Sequence, residues 1–167
     1  MKHARALLLS ALLALVSMSG FLGVPAHASP AGPTSVGVST PTSGAEFEDQ
    51  VRVEINAARS RAGFQPVRFT DACVDRLATA WGQHIASTGI FAHRDQQQVL
   101  RKCDQSWAGE NLIRGTGLTP RAIVDAWLAS PTHRAVLLKS RASRAGLAVV
   151  IDGQGRQVGV LNVTDAR

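Results

Sequence analysis

The stretch Ala145-Gly-Leu-Ala-Val-Val-Ile151, Asp152-Gly-Gln-Gly155, Arg156-Gln-Val-Gly-Val-Leu-Asn-Val163 decides the fold class. Two valine-rich runs flank a four-residue segment with two glycines, which reads as an antiparallel β-hairpin. Upstream of it the folded part reads as helices first and then mixed elements. Phe47, Val51, Ile55, Ala58 and Ala62 fall on one face at spacings of three and four, predicting a helix over 46–62 that Gly63 stops. A second helix is expected over 71–88, capped by Thr70, with Ala72 or Cys73, Leu77, Trp81, Ile85 and Thr88 in its stripe and Gly89 at its end. A short helix is expected over 96–102 and a short strand over 111–113. Thr119-Pro120 and Ser130-Pro131 are two helix starts of the same kind, a hydroxyl cap followed by proline at the first helical position. Helices first and a terminal hairpin last favour a layered α+β domain over a doubly wound sheet.

The chain of 167 residues begins with a segment of different character. Lys2 and Arg5 precede an apolar run from Leu7 to Val16, too short to span a bilayer with ease, and Ala26-His27-Ala28 matches an A-x-A cleavage site. Residues 1–28 therefore read as a secretory signal peptide, with an uncleaved anchor as the alternative. Residues 29–44 carry no charge and are rich in Pro, Ser, Thr and Gly, the composition of a flexible linker. The folded unit is expected over 45–165, with no transmembrane span in the mature chain. The leader holds two of the 18 basic residues and no acidic one, which leaves sixteen against twelve and a net charge of +4. The arginines are scattered, and export also argues against nucleic-acid binding. A loose attraction to anionic lipid or wall polymer fits the charge better.

Cys73 and Cys103 are the only cysteines. An even pair in an exported chain points to a disulfide, the alternatives being a reduced buried pair or a reactive thiol.

Chemistry-bearing residues gather in three short motifs: Phe91-Ala92-His93-Arg94-Asp95, Gly109-Glu110-Asn111-Leu112 and Ser130-Pro131-Thr132-His133-Arg134. His93 and His133 are two of the three histidines left once the leader is removed. Two imidazoles and one carboxylate are a donor set for Zn or another divalent cation, with water in an open position. Each residue also has a plain reading. Glu110 can accept hydrogen bonds from backbone or histidine and fix a turn at Gly109, His93 can anchor a loop, and His133 can pack at a helix start. His84 reads as a surface residue, and Trp81 and Trp127 as core; for Trp107, core and cleft are equally open. No Gly-x-Ser-x-Gly elbow is present, and Ser130 is expected to use its hydroxyl as a helix cap.

In order and spacing these motifs resemble the CAP (SCP) superfamily of cysteine-rich secretory, antigen and pathogenesis-related proteins, in its bacterial branch. The resemblance runs from Ile55-Asn56-Ala57-Ala58-Arg59 and Gly63 through the three motifs above and Val124-Asp125-Ala126-Trp127 to the hairpin, over about 50–163. It implies a three-layer α-β-α sandwich around a central antiparallel sheet, a secreted location, and a cleft with two histidines and two acids. His93, Glu110 and His133 match three of the four. Ser130 stands where many eukaryotic members carry the second carboxylate.

The function expected from this is a non-catalytic extracellular binding module with a lipid or envelope ligand. Two alternatives stand beside it. One is a metal-assisted hydrolase of peptides or cell-wall material using His93, Glu110 and His133, with Ser130 or water completing the site. The other is an envelope interaction module that uses its surface.

Overall fold

The computed structural model describes residues 43–166. The expected signal peptide and nearly all of the expected linker lie outside them. Five helices and three strands follow in the order α1 (Ala45–Arg61), α2 (Ala72–Thr88), α3 (Gln97–Lys102), β1 (Gln105–Gly115), α4 (Pro120–Ala129), α5 (Pro131–Leu137), β2 (Arg144–Ile151) and β3 (Gln157–Ala166). The strands form one antiparallel sheet in the order β1-β3-β2. The terminal hairpin thus supplies two strands, and β1 joins on the far side of β3.

Alternation along each strand sends successive side chains to opposite faces. One face buries Ala145, Leu147, Val149, Leu161 and Val163 against Phe47, Val51 and Ile55 of α1, Ile123 and Trp127 of α4 and Leu137 of α5. The other buries Leu112, Ala148, Val158 and Val160 against Ala78 and Ile85 of α2. The result is an α-β-α sandwich. Gly146 lets the second layer close: a Cβ there would lie 2.5 Å from the Val74 carbonyl carbon, so α2 rests directly on the strand.

Four details differ from the sequence expectations. Asp71, not Thr70, caps α2, its carboxylate accepting from the N–H groups of Cys73 and Val74. The buried stripe of α2 is Val74, Ala78, Gly82 and Ile85, while Leu77 and Trp81 are only half-buried. Small residues take the central positions because the helix lies so close to the sheet. The strand expected over 111–113 runs from Gln105 to Gly115, because cross-strand pairing with β3 extends it through residues of weak intrinsic preference. Gly109 lies inside that strand rather than at a turn, where a Cβ would meet the Trp107 ring at 2.9 Å and Val136 at 3.0 Å.

Two polar devices hold the layers. Arg59 is fully buried and donates to four carbonyls: Gln65 at 2.9 Å, Leu137 at 2.7 Å, Lys139 at 3.1 Å and Ala142 at 3.3 Å. It ties α1 to the irregular segment between α5 and β2. Along the outer edge of β2, the N–H groups of Ala145, Leu147 and Val149 donate in turn to the Arg68 carbonyl, the Asp75 carboxylate and the Glu48 carboxylate. That edge is closed to further strand pairing.

Candidate functional site

The sequence-predicted residues converge beside β1, the other edge of the sheet. Helix α2 ends at Gly89, whose φ of 75° turns the chain back towards the sheet. The returning loop is pinned where the Trp81 indole N–H donates to the Ala92 carbonyl at 3.0 Å. This places His93 over β1. Its Nδ1 lies 2.9 Å from Glu110 Oε1, and the same oxygen accepts the Arg94 backbone N–H at 3.1 Å. The Glu110 side chain is 1% exposed and that of His93 57%. While Glu110 is ionised its carboxylate only accepts, so Nδ1 then carries the hydrogen and Nε2 is the nitrogen left for a ligand.

His133 comes from the opposite helical layer. It sits in the first turn of α5, and its backbone carbonyl accepts from Asn111 Nδ2 at 2.9 Å, which fixes α5 to β1. The His93 and His133 ring centroids are 6.3 Å apart, at an interplanar angle of 57°. Residues distant in sequence, on a loop, a strand and a helix, thus share one edge of the domain.

Electrostatics separate their roles. Burial raises the Glu110 carboxyl above its ordinary value, against the lowering pull of the His93 and Arg94 hydrogen bonds and charges. Burial, and then the neighbouring His93, lower the His133 imidazole below its own. Burial also lowers the Arg94 guanidinium, with Glu110 pulling the other way.

Ser130 departs from its expected part as a cap. Its hydroxyl makes no capping bond to α5 and instead shares a hydrogen bond with Thr132 Oγ1 at 3.1 Å. The first turn of α5 is held through backbone instead, the Arg134 N–H donating to the Ser130 carbonyl at 2.8 Å. Cys73 and Cys103 form a disulfide that ties the start of α2 to the end of α3. Trp127 is core, its indole N–H donating to the Leu112 carbonyl at 3.1 Å. Trp107 is half-buried, with Lys139 and Arg141 over its ring. His84 is exposed and stacks on Trp81.

Among the described residues, no group of three or more His, Cys, Asp or Glu side chains is placed to hold a metal ion. Glu110 Oε1 is engaged and Oε2 is buried, so His93 and His133 are what this edge offers a cation. Two imidazoles fall short of the three or four protein ligands that zinc sites use.

Sequence reasoning missed two residues behind this edge, Arg94 and Asn162. Arg94 is buried with its guanidinium 5.1 Å from the Trp81 ring centroid. Asn162 is fully buried on β3, opposite Glu110. An asparagine inside the run Val158-Gly-Val-Leu-Asn162-Val163 was the available signal, since burying a carboxamide in a core strand carries a desolvation cost.

Fold and edge together define a class: disulfide-stapled α-β-α domains with a histidine-glutamate pair beside an outer strand. The profile of the cysteine-rich secretory protein family, CAP, matches residues 53–163, and the chain belongs to that family. The uncharacterized protein YkwD of Bacillus subtilis (strain 168) is 28% identical over 127 residues, which is 72% of this chain and 49% of the relative. The chain therefore spans about half the length of that curated relative. Among solved structures, an outer surface protein of Borrelia burgdorferi superposes with a TM-score of 0.62 at 19% identity, over 73% of this chain and 94% of that one. An extracellular protein containing a SCP domain from Bacillus anthracis str. Ames gives a TM-score of 0.59 at 20% identity, over 76% of this chain and 45% of that one. These likenesses bear on the fold.

Proposed function

We propose that the chain is a secreted, non-catalytic binding module whose ligand is a lipid. The enclosure of Glu110 carries this reading. A general base must reach a substrate proton directly or through one water. The only carboxylate of the His93–Glu110–His133 set is 1% exposed, with Oε1 engaged by two donors and Oε2 buried. Its chemistry goes into orienting His93, which leaves two imidazoles at the surface as recognition groups. Ser130, the hydroxyl nearest in sequence to His133, is engaged with Thr132 rather than activated.

Room for an apolar ligand lies in the helical layer that also carries His133. A groove of about 650 Å³ runs between α1 and α4, lined by Val53 and Pro120 together with Glu46, Asp49, Glu54 and Arg121. Val53 is 68% exposed, the largest exposure among the big apolar side chains of the described residues. A hollow of this size and lining suits an acyl chain or a comparable apolar body.

The test is mass spectrometry of lipids extracted from protein recovered from its own medium, paired with binding of labelled fatty acid and sterol. An enriched lipid, with binding weakened at least tenfold in Val53→Asp, is the expected result. A lipid-free protein that binds neither probe removes the reading and leaves an envelope polymer as the ligand to try.

A further inference from the structure

The carboxylate that orients His93 has a second oxygen, and its surroundings suggest what governs it. Glu110 Oε2 is buried and has no hydrogen-bond partner among the described residues. The same holds for both polar atoms of the Asn162 side chain, the Arg94 Nε and Nη1 groups, and Gln96 Oε1. These atoms belong to one neighbourhood. Glu110 and Asn162 are cross-strand partners, the Arg94 N–H is bonded to Glu110, and Gln96 Nε2 donates to the Arg94 carbonyl at 3.3 Å. Three donors and three acceptors therefore sit behind the His93–Glu110 pair.

Register narrows the pairing further. The Leu112 carbonyl faces away from β3, since it accepts from Trp127. Glu110, two residues earlier, shares that orientation, so Glu110 and Asn162 form a non-hydrogen-bonded pair, the kind whose side chains stand closest. On the other flank of Asn162 is Gly146, with the backbone of α2 pressed against it. Along β3 the same-face neighbours are Val160, which is apolar, and Thr164, whose hydroxyl donates to the Arg144 carbonyl at 3.5 Å. Of these immediate neighbours on the sheet face, Glu110 is the one with an unengaged acceptor.

We propose that Asn162 is a positioning residue: its carboxamide holds the second carboxylate oxygen of Glu110 through one bound water, and so fixes the His93 imidazole at the sheet edge. Arg94 supports it as the cation of the same enclosure. The charged groups around the carboxylate are His93 and Arg94 from the loop, with His133 facing His93 from α5. An asparagine suits the task because it donates to that water without adding charge. Burial already raises the Glu110 carboxyl, and a donor on Oε2 opposes that shift.

The proposal builds on the His93–Glu110 pair but needs no ligand, so a failed lipid-binding experiment leaves it standing. Carbon-13 NMR of the Glu110 carboxyl and proton NMR of the Asn162 side-chain amide, followed across pH in the intact protein, test it. The Asn162 amide resonances are expected to move with the Glu110 midpoint. In Asn162→Leu, matched in size but without a donor, the Glu110 carboxyl is expected to bind protons about tenfold more tightly, and the His93 Nδ1–H resonance to broaden or vanish. Asn162 amide resonances that ignore the Glu110 titration in wild type overturn the proposal, whether or not the variant folds. So does a folded Asn162→Leu protein with an unchanged Glu110 midpoint, which would leave Asn162 a packing residue only.

Discussion

Arg59 and Arg94 are both buried arginines, one on α1 and one on the loop that packs against α2, and they are treated in opposite ways. Arg59 gives its donors to four backbone carbonyls and, among the described residues, forms no ion pair. Arg94 lies against Trp81, near Glu110, with Nε and Nη1 unengaged among the described residues. The first arrangement is a fastener: the end of α5 and the irregular segment that follows it have carbonyls to satisfy, and one side chain satisfies three of them. The second leaves hydrogen-bonding capacity unused beside the polar edge. Saturated valence holds the fold on one side of the sheet. Open valence backs the candidate site on the other.

The comparison breaks if the two arginines respond alike to substitution. Arg59→Met should destabilise by about 3–5 kcal/mol, because it strands the carbonyls of Leu137, Lys139 and Ala142 in the interior. Urea unfolding followed by circular dichroism measures this. Opening the disulfide with Cys73→Ser and Cys103→Ser together should take away about 3–4 kcal/mol, as expected for cross-linking residues separated by 30 positions. Arg94→Met should change stability by no more than about 1 kcal/mol, since few of its hydrogen bonds are made and the aliphatic chain keeps its place on Trp81. A loss equal to that of Arg59→Met would show that Arg94 is a fastener too.

The smallest effect concerns pH. His133 titrates below its ordinary 6.5 in the folded state, because of burial and then the nearby His93. The unfolded chain therefore takes up this proton first. The resulting contribution to stability is full above about pH 6.5 and is lost as pH falls from there to the lower folded value. Thermal unfolding of wild type and His133→Asn, compared between pH 7 and pH 5, should show a slightly shallower acid-side decline in the variant.

Much of the architecture was legible because it rests on period and punctuation. The α1 stripe, the Thr119-Pro120 start and the Asp152–Gly155 hairpin turn are local signals, and the elements follow them closely. The extent of β1 was not legible, since Gln105 and Gly109 become strand only by pairing with β3. Ile85 is buried as expected, but the rest of the α2 stripe was misplaced by one step because a helix pressed on a sheet selects small residues such as Ala78 and Gly82, which hydrophobic periodicity discounts. At the site, spacing of motifs identified His93, Glu110 and His133, whereas partner choice decided the rest. Nothing local tells that Ser130 turns to Thr132 or that Asn162 stands opposite Glu110. Arg59 lay within the motif that carried the family resemblance, yet its role depends on carbonyls about 80 residues away.

An enclosed carboxylate that orients an exposed histidine is the centre of the candidate site. Titration of the Glu110 carboxyl by carbon-13 NMR in the intact protein tests that most directly. A midpoint above the ordinary 4.5, with the resonance responding when His93 is replaced, is the predicted result. A midpoint at 4.5, indifferent to His93, would mean a carboxylate free in solvent and would contradict it.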